Sequence, residues 1–158
     1  MKNDRVYILR ESVVKITQML AGKGIKVTQQ GVNAYVRADH NGTPVVVNLP
    51  YLPDNASEEL CQAIQGFLDH EVAHILFTNF PLMGTAMKKG RQVGFLLNAL
   101  EDPRIEKCMA ERFQGSAYNL SVTGKFYLDK FVVPKMQEAA AKGDANGVIQ
   151  CLMVPMLR

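Results

Sequence analysis

The sequence predicts an α+β domain in which a small antiparallel three-stranded sheet packs on helices. Apolar residues recur at helical spacing from about Arg5 to Leu20 and again within residues 67–77. Three short segments rich in β-branched and aromatic residues lie between these two helices. The length of 158 residues and the hydrophobic share of 47% are typical of one domain with its own core.

The segments between the two helices are expected to form an antiparallel meander. The three strands cover about residues 25–28, 34–38 and 44–49. Gly31-Val32-Asn33 is expected to turn the first strand into the second, and Asn41-Gly42 is typical of the tight hairpin that joins the second to the third. His40 falls at this hairpin tip, where a polar turn residue is a simpler interpretation than a ligand.

A long helix is expected to follow the sheet. The capping-box spacing of residues 55–58 predicts its start, and Asn79-Phe80-Pro81 predicts its end. Residues 82–90 are expected to be a loop or short turn. The first helix is expected to end at Gly22 and Gly24.

A further helix is predicted around residues 93–106, and Pro103 disturbs it. Proline disfavours helical backbone at Asp102, so we expect a kink there or a restart with Asp102 as the N-cap. A loop is expected after Gly115, then a helix over about 122–141 that ends at the glycine-rich residues 143–147.

The central helix carries the motif that predicts function. His70 and His74 are four residues apart, so both imidazoles project from one face of this helix. Two nitrogens in that arrangement can hold one zinc ion. Glu71 lies beside the metal and is expected to take a proton from water there. The pattern is His-Glu-x-x-His, and it predicts a single zincin-like domain over residues 1–158 with one Zn²⁺ per chain.

Composition argues against several other classes of protein. The net charge of +3 comes from scattered basic residues, which does not favour nucleic-acid binding. Cys61, Cys108 and Cys151 are widely spaced and odd in number, which indicates reduced thiols and a cytoplasmic protein. Neither a signal peptide nor a membrane-spanning run is expected.

A catalytic zinc needs a third protein ligand. The motif that supplies a third histidine is excluded, because Phe77 and Phe80 stand where it requires Gly and His. Glu101, on a second helix that can pack antiparallel to the first, fits the role best. Asp102 is the alternative ligand, and Asn98 or Asp102 is a candidate to orient a histidine through its second nitrogen.

Two segments together resemble a known family. Asp69-His70-Glu71-Val72-Ala73-His74 and Leu96-Leu97-Asn98-Ala99-Leu100-Glu101-Asp102-Pro103-Arg104-Ile105-Glu106 are similar to the zincin-like region of cobalt-chelatase CobT-type proteins of bacteria and phages. The resemblance implies a gluzincin-type site with zinc on His70, His74 and Glu101. It also implies a following von Willebrand factor A domain and a MoxR-type AAA ATPase as partner. We therefore expect an N-terminal fragment of a longer protein from a bacterium or a phage-infected host.

The expected activity is hydrolysis of a protein or peptide substrate, with Glu71 as general base. Tyr118, Arg104 and Arg112 are candidates to stabilise the oxyanion. An extended substrate would add to an edge strand of the sheet. The alternative is a non-enzymatic assembly module in which zinc is structural. Glu71 discriminates between the two, because a structural zinc site has no use for a general base.

Overall fold

The computed structural model describes residues 4–21 and 24–156, with side chains over 5–21 and 24–152. These residues form an α+β fold with one small mixed sheet. The helices are α1 (Asp4–Ala21), α2 (Glu58–Phe77), α3 (Phe80–Lys88), α4 (Arg91–Arg112), α5 (Gln114–Tyr127), α6 (Val133–Ala141) and α7 (Ala145–Met156). The strands are β1 (Lys26–Gln29), β2 (Tyr35–Ala38) and β3 (Pro44–Leu49). Gly22, part of the predicted end of α1, lies outside the described residues.

The sheet is mixed, so the predicted antiparallel meander is wrong. Its order is β1-β3-β2, with β3 parallel to β1 and antiparallel to β2. The chain does not turn back after β1, because residues 30–34 cross the end of β3 instead. Asn48, a buried residue of β3, holds this crossing by donating hydrogen bonds to the carbonyls of Gln30 (2.9 Å) and Asn33 (2.7 Å). The most buried strand therefore occupies the centre of the sheet.

The hairpin between β2 and β3 is confirmed at Asn41-Gly42. Asp39 Oδ1 accepts a hydrogen bond from the N–H of Asn41 at 2.8 Å, and Gly42 has a φ of 81°. A Cβ at Gly42 would lie 2.6 Å from Pro81 Cδ, so the hairpin tip touches the first turn of α3. His40 is exposed at this tip, in agreement with its interpretation as a turn residue.

Helix α2 is the central helix of the fold. Its N-cap is Ser57, whose side chain accepts a hydrogen bond from the N–H of Leu60 at 3.2 Å. The helix therefore starts two residues later than a capping box at Asn55 would place it. It contacts α1, α4, α5 and the strands β2 and β3. Its buried residues join those of α1, β3 and α4 in one hydrophobic core.

The contact between α2 and α5 is close and carries polar links. A Cβ on Gly66 would collide with Thr123 and with the backbone of Asn119, so only glycine permits this approach. The Thr123 hydroxyl donates a hydrogen bond to the carbonyl of Ala63 at 2.8 Å. Asn119 donates to the buried carboxylate of Asp69 at 2.9 Å. Packing against α5 therefore fixes one face of α2, and this determines the direction in which the opposite face of the helix points.

Residues 80–88 form the helix α3, so the loop predicted over 82–90 is wrong. Asn79 caps this helix, since its Oδ1 accepts a hydrogen bond from the N–H of Leu82 at 3.0 Å. Pro81 lies in the first turn, where its missing N–H costs nothing. The residues predicted to end α2, Asn79-Phe80-Pro81, therefore start α3, directly after Thr78, the C-cap of α2.

Helix α4 runs unbroken past Pro103, so a restart with Asp102 as N-cap is wrong. Ile105 and Met109 anchor this part of α4 in the core, and such packing outweighs the local cost of a proline. The chain breaks at Phe113, whose φ is −132°, and α5 begins at Gln114. The loop predicted after Gly115 is therefore also wrong.

Helix α5 continues into a π-helical segment, Leu128–Val132, and then into α6. The predicted helix over 122–141 covers the later part of this continuous stretch. Gly143, with a φ of 69°, separates α6 from α7 as expected, but the break is shorter than the predicted 143–147 because α7 begins at Ala145. Within the described residues, no helix is both long and apolar enough to cross a bilayer.

Candidate metal centre

Helices α2 and α4 bring together three side chains that could hold a metal ion. They are His70, His74 and Asp102, and one ligand atom from each lies within 4.8 Å of the others. Asp102 Oδ1 is 3.4 Å from His74 Nε2 and 4.0 Å from His70 Nε2. The two imidazoles are nearly perpendicular, with an interplanar angle of 88°. The predicted histidine pair is therefore completed by a carboxylate from the second helix.

These distances fit zinc. Ligand atoms about 2.1 Å from a tetrahedral zinc are separated from each other by roughly 3.4 Å. The separation of 3.4 Å between His74 and Asp102 matches this value, and 4.0 Å for His70 needs only a small inward shift. Two imidazoles and one carboxylate are also a donor set that zinc accepts, with a position left for water.

Each histidine is oriented through its second nitrogen. Glu106 Oε1 lies 2.9 Å from His70 Nδ1, and the Thr78 hydroxyl lies 3.0 Å from His74 Nδ1. An ionised Glu106 carboxylate can only accept, which places a proton on His70 Nδ1, while Thr78 orients the His74 ring, and Nε2 of both rings lies near Asp102. Asp102 and Glu106 are four residues apart, so one face of α4 supplies both a candidate ligand and an orienting group.

Glu71 is buried beside the cluster, with a relative exposure of 4%. Burial and the charge of Asp102 raise its pKa to about 7, against an opposing effect of His70. Burial lowers the pKa of His70, but the Glu106 hydrogen bond and the charges of Glu71, Asp102 and Glu106 outweigh burial and raise it. Glu71 therefore has the pKa of a group that exchanges protons near neutral pH.

Glu101 is outside the three-residue cluster. Arg104 binds it through two hydrogen bonds, at 2.7 Å from Nε and 2.6 Å from Nη2. Arg104 Nη2 also donates to the carbonyl of Phe77 at 2.7 Å, at the end of α2. The Arg104 hydrogen bond lowers the pKa of Glu101, and a hydrogen bond from Thr78 contributes in the same direction. Glu101 therefore reaches His74 through Thr78, while Asp102 reaches it directly.

A cleft of about 680 Å³ opens beside the cluster. His70, Glu71 and Asp102 line it, together with Asn98, one turn before Asp102 on the same face of α4. Residues 31–34, which lead into β2, also line it. The cleft is within the range of about 300–1,000 Å³ that is usual for ligand sites.

The three candidates for oxyanion stabilisation do not line this cleft. Tyr118 is 68% exposed on α5. The residues of α5 that line the cleft follow it in the chain, between Leu120 and Tyr127. Arg104 is engaged by Glu101 and the end of α2, as described above. Arg112 lies over the ring of Phe113, 5.7 Å from its centroid.

Sequence reasoning assigned no role to Glu106 or Thr78. Both could have been found from spacing, since Thr78 follows His74 by four residues and Glu106 follows Asp102 by four. Such pairs lie on one helical face, so each residue is placed next to its partner. Cys61, Cys108 and Cys151 are half-buried free thiols, in agreement with the expected reduced state.

The fold and this site define an α+β protein with a candidate metal centre between two helices. The model of the family described as "Cobalamin biosynthesis protein CobT" matches residues 3–152, and the chain belongs to this family. The match extends well beyond the two segments that carry the resemblance in the sequence. No curated protein and no solved structure matches the chain.

Proposed function

We propose that this chain is a zinc-dependent, zincin-like domain that hydrolyses peptide bonds. The observation that carries the proposal is the position of Glu71. This buried carboxylate lies beside the candidate ligands and also lines the cleft. A general base must be close to both the metal and the substrate, and Glu71 meets both conditions.

The proposed zinc ligands are His70, His74 and Asp102. Zinc, when bound, would acidify a water and polarise a carbonyl group. Glu71 accepts the proton of the attacking water and delivers it to the leaving amine. Glu106 and Thr78 hold the histidines in the tautomer that presents Nε2 to the metal.

The substrate is proposed to be an extended protein or peptide. Strand β2 lies at an edge of the described sheet, and the residues just before it line the cleft. A peptide that pairs with this edge would lie alongside the metal centre. Asn98 lines the cleft near Asp102 and is placed to donate a hydrogen bond to a substrate carbonyl.

A second candidate function is assembly without catalysis, with a structural zinc. Six large apolar side chains of α3 and α4 are exposed, which favours a protein-binding surface: Leu82, Met87, Val93, Phe95, Leu96 and Leu100. A MoxR-type AAA ATPase is the partner that the sequence resemblance implies. The description of the family names cobalamin biosynthesis, and a role in that process does not require peptide hydrolysis. Family membership therefore supports the assembly alternative.

The test combines zinc content with cleavage of a general protein substrate. Zinc-loaded wild type should cleave it, and Glu71→Gln should keep zinc but lose about 10²- to 10⁴-fold in rate, because the amide cannot accept a proton. His70→Ala should lose zinc and activity together. His40→Ala is the matched control, since this exposed histidine is at the hairpin tip. Equal cleavage by wild type and Glu71→Gln, or none by either, would favour the assembly function.

A further inference from the structure

One wall of the cleft is aromatic. Phe126, Tyr127 and Phe131 line it, and the rings of the first two each lie against Phe131. The ring centroids of Phe126 and Phe131 are 6.2 Å apart, and those of Tyr127 and Phe131 are 5.4 Å apart. Phe67 of α2 and Leu120 of α5 extend the same apolar lining. Such a surface recognises apolar groups, because burying them removes unfavourable contact with water.

The π-helical segment lies within this wall. Tyr127, Phe131 and Lys135 are spaced by four residues across it, and all three line the cleft. Side chains four residues apart lie on the same side of an α-helical turn and also of the wider π-helical turn. Lys130, within the segment, pairs with Glu59 of α2 at 3.0 Å. The wall is therefore tied to the helix that carries the histidines.

Gly124 leaves space in the same wall. It lines the cleft one turn before Tyr127, and a Cβ added to it meets no atom within 4 Å. The contrast with Gly66 is clear, since a Cβ there would collide with α5. Gly124 therefore does not serve close packing of helices, and the space beside it is open to a ligand.

We infer that this cleft holds a large apolar side chain of the peptide substrate against Phe126, Tyr127 and Phe131, in the space that Gly124 leaves open. The inference rests on the proposed hydrolase function for the identity of the ligand as a peptide. The acidic and imidazole groups line the same cleft, so the position of the bound side chain selects which peptide bond reaches Glu71. A residue with a small or charged side chain at that position leaves the aromatic wall uncovered.

The experiment fills the space and uses two readouts. Gly124→Leu places a side chain in the cleft, and Gly124→Ala adds only a methyl group there. Gly115→Leu is the matched control, because Gly115 is also on α5, has no atom within 4 Å of an added Cβ and does not line the cleft. Thermal unfolding establishes whether each variant is folded. If Gly124→Leu is not folded, Gly124→Ala takes its place in the measurements.

The first readout is independent of zinc and of hydrolysis. N-acetyl-phenylalanine amide and N-acetyl-alanine amide are titrated onto the zinc-free protein and followed by nuclear magnetic resonance. The phenylalanine probe should bind roughly 10- to 100-fold more tightly than the alanine probe. This preference should disappear in Gly124→Leu and persist in Gly115→Leu. Equal binding of both probes to wild type would overturn the inference.

The second readout is the set of bonds that the zinc-loaded protein cleaves in a peptide mixture. Phe, Leu, Met or Tyr should be enriched at one fixed position from the cleaved bond, and Gly124→Leu should reduce that enrichment. Apolar probe binding without any cleavage would support the apolar site and contradict the hydrolase. Cleavage with no side-chain preference, unchanged in Gly124→Leu, would support the hydrolase and overturn the apolar site.

Discussion

The two histidines of the candidate metal centre are held in different ways. His70 is oriented by a carboxylate on another helix, since its Nδ1 lies 2.9 Å from Glu106 of α4. His74 is oriented by a neutral hydroxyl at the end of its own helix, since its Nδ1 lies 3.0 Å from Thr78. A hydrogen bond with an ionised acceptor is about twice as strong as one between neutral groups. The His70 half of the site is therefore held directly and strongly.

The His74 half depends on more residues. Thr78 is the C-cap of α2, and its own N–H donates to the carbonyl of His74. Arg104 fixes the end of α2 through the carbonyl of Phe77, and Glu101 in turn positions Arg104. The neighbouring carboxylates on α4 therefore occupy different positions relative to the histidines. Asp102 faces both imidazoles, whereas Glu101 supports one of them from a distance.

The largest effect is expected when Asp102 and Glu101, the neighbouring carboxylates of α4, are each substituted. Asp102→Ala should weaken zinc binding by more than about 100-fold, because it removes a ligand rather than an outer partner. Glu101→Ala should weaken it by about 10-fold or less, since Arg104 and Thr78 separate Glu101 from the metal. Zinc affinity is measured by competition with a chelator of known affinity. Glu101→Gln and Asp102→Asn are the matched controls that keep side-chain size. A greater loss in Glu101→Ala would make Glu101 the ligand, as the sequence resemblance implies.

The next effect concerns the titration of Glu71, the buried acid beside His70. Burial raises the pKa of Glu71 from 4.5 to about 7, so the folded protein binds this proton more tightly than the unfolded chain. The stabilisation from that proton is complete below pH 4.5 and is lost as pH rises through about 7. The free energy of unfolding of the zinc-free protein should therefore fall by on the order of 2 kcal/mol between about pH 5 and 8 through this group.

Glu71→Gln removes this titration, so its unfolding free energy should vary less with pH than that of wild type. Denaturant unfolding of the zinc-free proteins across this pH range measures the difference. Thr78→Val, which changes none of the groups that shift the pKa of Glu71, is the control and should follow the wild-type pH dependence over this range. Parallel curves for wild type and Glu71→Gln would contradict the raised pKa.

Local signals predicted the parts of the fold that depend on neighbouring residues. The hairpin at Asn41-Gly42 and the N-cap at Asn79, which begins α3 just after α2 ends, both follow from side chains within a few positions. The motif from His70 to His74 likewise fixed two candidate ligands by helical spacing alone. These features need no knowledge of the rest of the chain.

Long-range packing determined the parts that sequence could not predict. The position of β3 in the sheet depends on Asn48, whose amide binds carbonyls at positions 30 and 33. The choice between Glu101 and Asp102 depends on the rotation of α4, which Ile105 and Met109 set in the core. Adjacent helical residues differ by about 100° in direction, so only one of the two can face the histidines, and the helical pattern alone does not say which.

The smallest effect is expected from substitutions of Glu106 and Thr78, the two groups that orient the histidines. Glu106→Gln replaces a charged acceptor by a neutral amide, and outer partners of this kind are worth roughly 10- to 100-fold in metal affinity. We expect about 10-fold for Glu106→Gln and a smaller loss for Thr78→Val, because the hydroxyl is a weaker orienting group. Thr78→Ser keeps the hydroxyl and should retain wild-type affinity. If Thr78→Val costs more zinc affinity than Glu106→Gln, the indirect half of the site is the stronger one. The chain from Glu101 through Thr78 to His74 would then carry more of the orientation than the direct contact of Glu106 with His70.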